Sequence, residues 1–125
     1  MTKKDFNMFV PVNTPKFSGN EKKYLIDCID SGWISSEGPY VRKFEENFAK
    51  FCDRKYAVAV TNGTIAIDIA LKALDLPRGS EVILPSFTII SCIHEIVNSG
   101  LKPIFVDSSL ETWNMDVNQI EEKIT

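Results

Sequence analysis

The stretch from Tyr56 to Leu74 joins a run of strand-forming residues, YAVAV, to a long apolar helix through an Asn-Gly dipeptide. The run from Tyr56 to Val60 is long enough for one buried strand. Asn62 and Gly63 both tolerate positive φ, which predicts a tight turn. The polar residues of the helix that follows are Asp68, Lys72 and Asp75. Because they form one narrow stripe, we expect the helix to be packed on most of its circumference.

The first turn of this helix is a candidate site for an anion. Its backbone N–H groups have no partner inside the helix, and the helix dipole is positive at this end. A phosphate group fits such an end, and the Thr64 hydroxyl would add a hydrogen bond. The alternative is that Asn62, Gly63 and Thr64 only turn the chain and cap the helix, because short turn motifs are common without a ligand.

Composition excludes several classes of function. The 125 residues are enough for one domain with a hydrophobic core. A net charge of −3 and a pI near 5.1 argue against a nucleic-acid-binding surface. No apolar run has the length of a transmembrane helix or a signal peptide. We therefore expect a cytoplasmic protein whose partners include neither nucleic acid nor a membrane.

The cysteines and the single histidine do not predict a metal site. Cys28, Cys52 and Cys92 are widely spaced, without metal-binding or redox spacing, and we expect them to be reduced thiols. His94 is the one histidine of the sequence, which argues against a His-based metal site or a multi-histidine mechanism. Since it follows apolar residues in a predicted helix, we expect it to pack at the boundary of the core.

The first half of the chain predicts an arm followed by two helices. Residues 1–17 contain two prolines and no helical periodicity, so we expect an extended arm. The first helix follows, with Ser18 and Glu21 at capping-box spacing and Gly32 as its C-terminal stop. The second helix spans 41–51, with apolar residues recurring every three or four positions.

The second half predicts two further strands and two helices. The strands are Glu81 to Leu84 and Lys102 to Asp107, both short and apolar. Ser86 or Thr88 can cap the helix between them, and Gly100 ends it. A last helix is predicted from Asp116, where Gln119 has capping-box spacing.

The order strand, helix, strand, helix, strand, helix predicts an α/β fold. Apolar strands with intervening helices indicate parallel pairing and right-handed crossovers. Ligands on such sheets bind beyond the carboxyl ends of the strands, where the TNGT, PSFT and DSSLETW segments all lie. This convergence favours a ligand at TNGT. Three strands are few for a sheet, so we expect the chain to be the front part of a larger domain.

Four stretches together resemble a known family. They are DSGWISSEGPYVRKFEENFAKF, AVAVTNGTIAIDIALKAL, GSEVILPSFTIISCIHEIVNSGLKPIFVD and ETWNMDVNQIEEKIT. From about Pro11 to Thr125 the chain resembles the N-terminal part of the DegT/DnrJ/EryC1/StrS nucleotide-sugar aminotransferases, which use pyridoxal 5'-phosphate. The resemblance implies a three-layer α/β/α fold with a mainly parallel sheet, as in the large domain of fold type I. It implies an arm at 1–17 and an incomplete large domain at 18–125.

The resemblance also implies site residues. The family's cofactor-phosphate turn falls on Asn62, Gly63 and Thr64, followed by the backbone N–H of Ile65. The family stacks an aromatic residue on the cofactor ring where this sequence has Ile89, so Ile89 and Phe87 are the implied ring contacts, with core packing as the alternative. The implied substrate-binding residues are Trp33, Ser35 and Ser36, and for Trp33 the alternative is packing against its own loop.

The implied reaction moves an amino group from glutamate to a nucleotide-linked 4-keto-6-deoxy sugar, for surface polysaccharide and O-antigen synthesis, in a homodimer. The family's lysine, which binds the cofactor covalently, matches none of the eleven lysines here. We therefore expect an N-terminal fragment that is inactive alone and holds no catalytic residue. Alternatives are a pyridoxamine-dependent sugar dehydratase of the same family and a non-catalytic binding or oligomerisation module. A nicotinamide-binding domain is disfavoured because no G-x-G-x-x-G follows the strand.

Overall fold

The computed structural model describes residues 9–125. Contacts divide the chain into two units, Met1–Ala59 and Val60–Thr125. The first eight residues of the predicted arm lie outside the described residues, and 9–17 contain no helix or strand. None of the helices in residues 9–125 combines the length and the apolar character needed to span a bilayer.

The unit Met1–Ala59 contains two helices, α1 (Glu21–Ser31) and α2 (Pro39–Phe51). Gly32 ends α1 in the left-handed conformation, with φ of 75°, which confirms its predicted role. The predicted capping box is wrong. Asn20 is the N-cap and makes no side-chain capping bond, while the Glu21 carboxylate accepts from the backbone N–H of Gly19 at 2.9 Å.

The unit Val60–Thr125 carries a parallel β–α–β arrangement. Its elements are α3 (Gly63–Ala73), β1 (Glu81–Pro85), α4 (Ile90–Asn98) and β2 (Lys102–Val106). The two strands pair in parallel with Ile83 opposite Ile104. This confirms the predicted α/β class and both strand positions to within one residue.

The first pair of this register is also an ion pair. Lys102 lies opposite Glu81, and its Nζ is 2.7 Å from Glu81 Oε1. Hydrogen bonds from Lys102 and from the Thr125 hydroxyl hold the pKa of the Glu81 carboxyl below its ordinary value of 4.5. An opposite-charge pair directly across two strands favours this register over a slipped one.

The core of this unit lies where α4 covers the strands. Its buried members are Leu84, Ile96 and Leu101, and Leu71, Val82, Cys92 and Ile93 pack around them. Val106, at the end of β2, is 1% exposed. All three cysteines are free thiols, as predicted.

The predicted strand from Tyr56 to Val60 is not formed. The segment has no hydrogen-bonded partner strand among residues 9–125, and the side chains of Tyr56 and Val58 are each 75% exposed. The backbone N–H of Ala59 donates instead to Glu45 Oε1 at 2.8 Å. An apolar, β-rich run predicts extended backbone, but a strand also needs a neighbour to pair with.

The expectation of a helix packed on most of its circumference is wrong for α3. It contacts α4 and sends Leu71 to the core, yet no residue on it is buried. Ile65 and Ile69 are 39% and 44% exposed. The exposed apolar residues of α3 therefore form a surface that no other described residue covers.

Two further helix predictions need correction. Neither Ser86 nor Thr88 caps α4: Ile89 is the N-cap and makes no side-chain bond, while the Thr88 hydroxyl contacts Cys92 Sγ at 3.5 Å. The last predicted helix is two short 3₁₀ turns, Val117–Gln119 and Glu121–Lys123.

Candidate functional site

The N-terminus of α3 is built by Asn62. Its side-chain Oδ1 accepts from the backbone N–H of Ile65 at 3.0 Å, and its carbonyl accepts from Ala66 at 3.2 Å. Asparagine is favoured here because its short side chain reaches a first-turn N–H. The predicted capping role is thus confirmed for Asn62. The expected positive φ is wrong, since Asn62 has φ of −166° and Gly63 is not among the residues with positive φ.

Two donors remain free in this first turn. The backbone N–H groups of Gly63 and Thr64 have no hydrogen-bond partner among the described residues. A Cβ placed on Gly63 would meet no atom within 4 Å, so the space at the side-chain position of this residue is open. Free N–H groups, a positive dipole end and open space suit an anionic oxygen group such as phosphate.

The Thr64 side chain is bound from a second helix. Its Oγ1 is 2.9 Å from Oγ of Ser91, in a partly buried position. Ser91 lies in the first turn of α4, which begins at Ile90. The start of α4 thus contacts the start of α3 through two hydroxyl groups. Sequence reasoning missed Ser91, although a serine in the apolar run IISCI is a usable signal.

The predicted ring contacts lie elsewhere in the same unit. Phe87 packs against Trp113, with ring centroids 5.5 Å apart and planes tilted by 58°. Both rings line an open cavity of about 780 Å³ at the carboxyl ends of β1 and β2. Phe87 is 65% exposed, so the core-packing alternative is wrong for it. Sequence reasoning missed Trp113, which has a positive φ of 61°.

Ile89 faces solvent at the start of α4. It is 67% exposed and serves as the N-cap residue, two positions before Ser91. Core packing, the alternative for Ile89, is therefore wrong in this structure. Ile89 thus lies two positions from Ser91, whose hydroxyl contacts Thr64, whereas Phe87 lines the cavity.

Carboxylates hold the loop that forms this cavity. Asp107 Oδ1 accepts from the Ser86 hydroxyl at 3.1 Å, which ties the ends of the two strands together. Asp116 accepts from the backbone and side-chain N–H groups of Asn118 and from Gln119. These hydrogen bonds lower the pKa of the Asp116 carboxyl, led by the backbone bond. Asp116 is therefore the side-chain cap predicted for it, although it caps a 3₁₀ turn.

The predicted substrate residues belong to the unit Met1–Ala59. Trp33 is 51% exposed and lines a depression with residues of α2. The Ser35 hydroxyl accepts from the backbone N–H of Glu37 at 3.4 Å, and Ser36 lies exposed in the same turn. Exposure leaves all three side chains free to meet a ligand, and Trp33 is only half covered by its own surroundings.

The lysines of Val60–Thr125 are all paired with carboxylates. Lys72 lies 2.8 Å from Asp68 in the last turn of α3, at the opposite end from Thr64. Lys102 pairs with Glu81 where β2 begins, and Lys123 lies 3.7 Å from Glu122. No lysine of this unit lies in the first turn of α3 or of α4. Within the described residues, no group of three or more His, Cys, Asp or Glu side chains is placed to hold a metal ion.

Comparison with models of protein families assigns this chain to a family. The model of the DegT/DnrJ/EryC1/StrS aminotransferase family matches residues 15–125. This chain belongs to that family. The GDP-perosamine synthase of Escherichia coli O157:H7 is 49% identical over 117 residues, which are 94% of this chain and 32% of that protein. The GDP-perosamine synthase of Vibrio cholerae is 44% identical over 92% of this chain and 31% of its own length.

Solved structures of the family agree with the fold. The E. coli GDP-4-keto-6-deoxy-D-mannose-3-dehydratase with bound hydrated PLP superposes with a TM-score of 0.81 and 30% identity. The match covers 92% of this chain and 31% of that one. The chain thus spans about a third of the length of the family members it matches. Within the family, the segments SGWISS, TNGT and ETWNMDV resemble GDP-perosamine synthase, and the identities of 49% and 44% agree with this resemblance.

Proposed function

We propose that this chain supplies the cofactor-phosphate site of a pyridoxal 5'-phosphate-dependent sugar aminotransferase. The observation that carries the proposal is the first turn of α3. Its Gly63 and Thr64 N–H groups have no hydrogen-bond partner among the described residues, and the space at the side-chain position of Gly63 is open. The chain also belongs to an aminotransferase family. The bound cofactor would supply an electron sink for the amino-group transfer.

The residues of this turn divide the work of holding the phosphate. The N–H groups of Gly63 and Thr64 donate to its oxygens, and the Thr64 hydroxyl adds a third donor. The Ile65 N–H is already taken by Asn62 Oδ1. For the Ile65 N–H to donate to the phosphate as proposed, Asn62 Oδ1 must share or release this hydrogen bond. Ile89, exposed beside the start of α4, and Phe87, at the edge of the cavity, are the proposed ring contacts.

The proposed substrate is a nucleotide-linked 4-keto-6-deoxy sugar of the perosamine type. Identities of 49% and 44% to two GDP-perosamine synthases support this choice. Trp33, Ser35 and Ser36 are the proposed sugar-nucleotide contacts, because their side chains are exposed in a loop of mixed aromatic and hydroxyl character. Such side chains suit a ligand with both a flat base and sugar hydroxyls.

The wider setting of the reaction follows from the same family membership. We propose glutamate as the amino donor, a homodimer as the active assembly and the cytoplasm as its location. The product would enter surface polysaccharide synthesis, including the O-antigen. An open turn and exposed apolar residues on α3 leave room for the further structure that a complete site requires.

A sugar dehydratase is the second candidate. The TM-score of 0.81 to a GDP-4-keto-6-deoxymannose dehydratase favours it. Its identity of 30% is lower than the 49% to a perosamine synthase, which favours the aminotransferase. Incubating the full-length protein with glutamate and a GDP-4-keto-6-deoxy sugar distinguishes the two candidate functions. The aminotransferase forms a 4-amino sugar, whereas the dehydratase removes the 3-hydroxyl.

Gly63→Val tests the phosphate turn. The new side chain enters the space where no protein atom lies within 4 Å, so we expect it to displace the phosphate and leave the fold intact. In the full-length protein, the affinity for pyridoxal 5'-phosphate should fall at least tenfold, measured by cofactor absorbance. The affinity for pyridoxal, which lacks the phosphate, should fall far less.

Ala66→Val is the matched control for this variant. It places the same β-branched side chain on α3 at an exposed position beyond the two free N–H groups. Its cofactor affinity should remain close to that of the parent protein. An unchanged affinity in Gly63→Val, with circular dichroism showing a folded protein, would show that the phosphate binds elsewhere.

A further inference from the structure

The Thr64 hydroxyl is held by a residue that no part of the proposed reaction uses. We infer that Ser91 is a positioning residue, whose hydroxyl fixes the Thr64 side chain in the rotamer that donates to a phosphate. The inference rests on the proposed function, since it concerns how the same turn grips its ligand. It assigns α4 a part in a site that the sequence places on α3 alone.

The contact is specific and crosses between two elements. Thr64 Oγ1 and Ser91 Oγ lie 2.9 Å apart although 27 positions separate them in the chain. Both residues are partly buried, unlike the exposed Asn62 and Gly63 beside them. Each lies in the first turn of its helix. A short hydroxyl pair in such a place restricts both side chains more than a contact with water does.

Thr64 needs such a partner because a threonine in a helix has more than one favourable rotamer. Rotamers that turn Oγ1 away from the front of the helix cannot donate to a ligand there. The hydrogen bond to Ser91 Oγ, at 2.9 Å, holds the Thr64 side chain in one rotamer.

The donors and acceptors of the two hydroxyl groups explain how the pair can bind a phosphate. A hydroxyl has one donor hydrogen and two acceptor lone pairs. In this structure the Thr64 hydroxyl donates to Ser91 Oγ. Because each hydroxyl can both donate and accept, the pair reverses when phosphate binds: Ser91 then donates to Thr64 Oγ1, and the Thr64 hydrogen turns to a phosphate oxygen. The two bonds then run in one direction and strengthen each other. Replacing Ser91 with alanine leaves Thr64 the same hydrogen but removes the group that aims it.

The test measures the affinity of the full-length protein for pyridoxal 5'-phosphate and for pyridoxal. Ser91→Ala should weaken binding of the phosphorylated form roughly three- to tenfold, the effect of one hydrogen bond, and leave pyridoxal binding unchanged. Ser91→Thr keeps a hydroxyl and should restore most of the affinity. The ³¹P resonance of the bound cofactor should shift in Ser91→Ala and return in Ser91→Thr.

A double-mutant cycle separates positioning from general destabilisation. Thr64→Val removes the aimed hydroxyl, so Ser91→Ala should cost little more in that background. Ser99→Ala is the matched control, because it removes a hydroxyl from the other end of the same helix, where Ser99 Oγ has no hydrogen-bond partner among the described residues. It should leave both affinities unchanged.

The outcomes distinguish this inference from the proposed function. If Thr64→Val weakens phosphate-dependent binding but Ser91→Ala does not, the positioning role is overturned and the phosphate turn stands. Equal losses for pyridoxal and its phosphate in Ser91→Ala would also overturn the positioning role, because they indicate a structural effect. If Gly63→Val and Thr64→Val both leave cofactor affinity intact, the phosphate turn itself is overturned, and the inference with it.

Discussion

Tyr40 donates its phenolic hydrogen bond to Asp27 Oδ2 at 2.8 Å, from the start of α2 to α1. This bond, followed by partial burial and the Asp27 charge, raises the pKa of Tyr40 from 10.0 to about 12. Because the folded value lies above the unfolded value, the bond stabilises the fold fully below pH 10.0, and this stabilisation is lost as the pH rises toward about 12.

Asp27→Asn should lower the pKa of Tyr40 toward 10.0, because the charge and the strong acceptor are both removed. An ultraviolet titration of tyrosinate measures it, in a background where Tyr24 and Tyr56 are replaced by phenylalanine. Asp30→Asn is the control, since Asp30 lies on the same helix without this contact. A Tyr40 that ionises at the ordinary tyrosine value in the parent protein would show that the bond is absent in solution.

At the same scale, the sequence predicted single residues where the reason is local. Asn62 caps α3 and Gly32 ends α1 because each acts on its own backbone turn. Ser91 was missed because its partner Thr64 is far away in the chain. Trp113 was missed for the same reason, since only the folded loop brings it to Phe87.

The helix α4 is the element that closes the core of Val60–Thr125. Ile96 on this helix is 3% exposed and packs with Leu84 and Leu101. Its neighbour Val97 is 55% exposed on the other side of the same turn. The helix therefore has one face that covers the parallel strands and one that does not.

Ile96→Ala should lower the free energy of unfolding by about 2–4 kcal/mol, because it removes buried methyl groups and leaves a cavity. Val97→Ala, one position along the same helix, should change it by less than about 0.5 kcal/mol. Urea unfolding of the 125-residue chain, followed by circular dichroism, measures both. Equal effects of the two substitutions would mean that α4 presents a different face to the strands.

Within the unit Val60–Thr125, no lysine lies in the proposed phosphate turn at the start of α3. The three lysines of Val60–Thr125 form ion pairs, and Lys72 is separated from Thr64 by most of the length of α3, roughly 12 Å at 1.5 Å per residue. A lysine is needed at the cofactor for amino-group transfer of the proposed kind. This placement sets a limit on what the 125 residues can do without other structure.

We expect the 125-residue chain by itself to transfer no amino group. Mixed with pyridoxal 5'-phosphate and glutamate, it should leave the cofactor absorbance in its aldehyde form, because no lysine in the unit reaches the turn. The E. coli GDP-perosamine synthase, 49% identical where it matches, is the positive control. Conversion of the cofactor to its amine form by the chain alone would disprove this limit.

At this largest scale, the pattern of strands and helices was readable but their partners were not. The parallel pair β1 and β2 was predicted because apolar runs alternate with an amphipathic helix. The strand expected at 56–60 did not form, because strand formation depends on a neighbour that local sequence does not specify. The same holds for α3, whose apolar residues predict burial without naming what would cover them.

The sequence by itself determined the α/β class, the positions of the two strands, the C-terminal ends of α1 and α2, and the family to which the chain belongs. These depend on backbone preferences and hydrophobic periodicity, which act over a few residues, and on motif order. Only the tertiary structure decided that Ser91 holds Thr64, that Phe87 meets Trp113 and that α3 stays exposed. Each of these depends on contacts between residues distant in the chain, which local preferences do not encode.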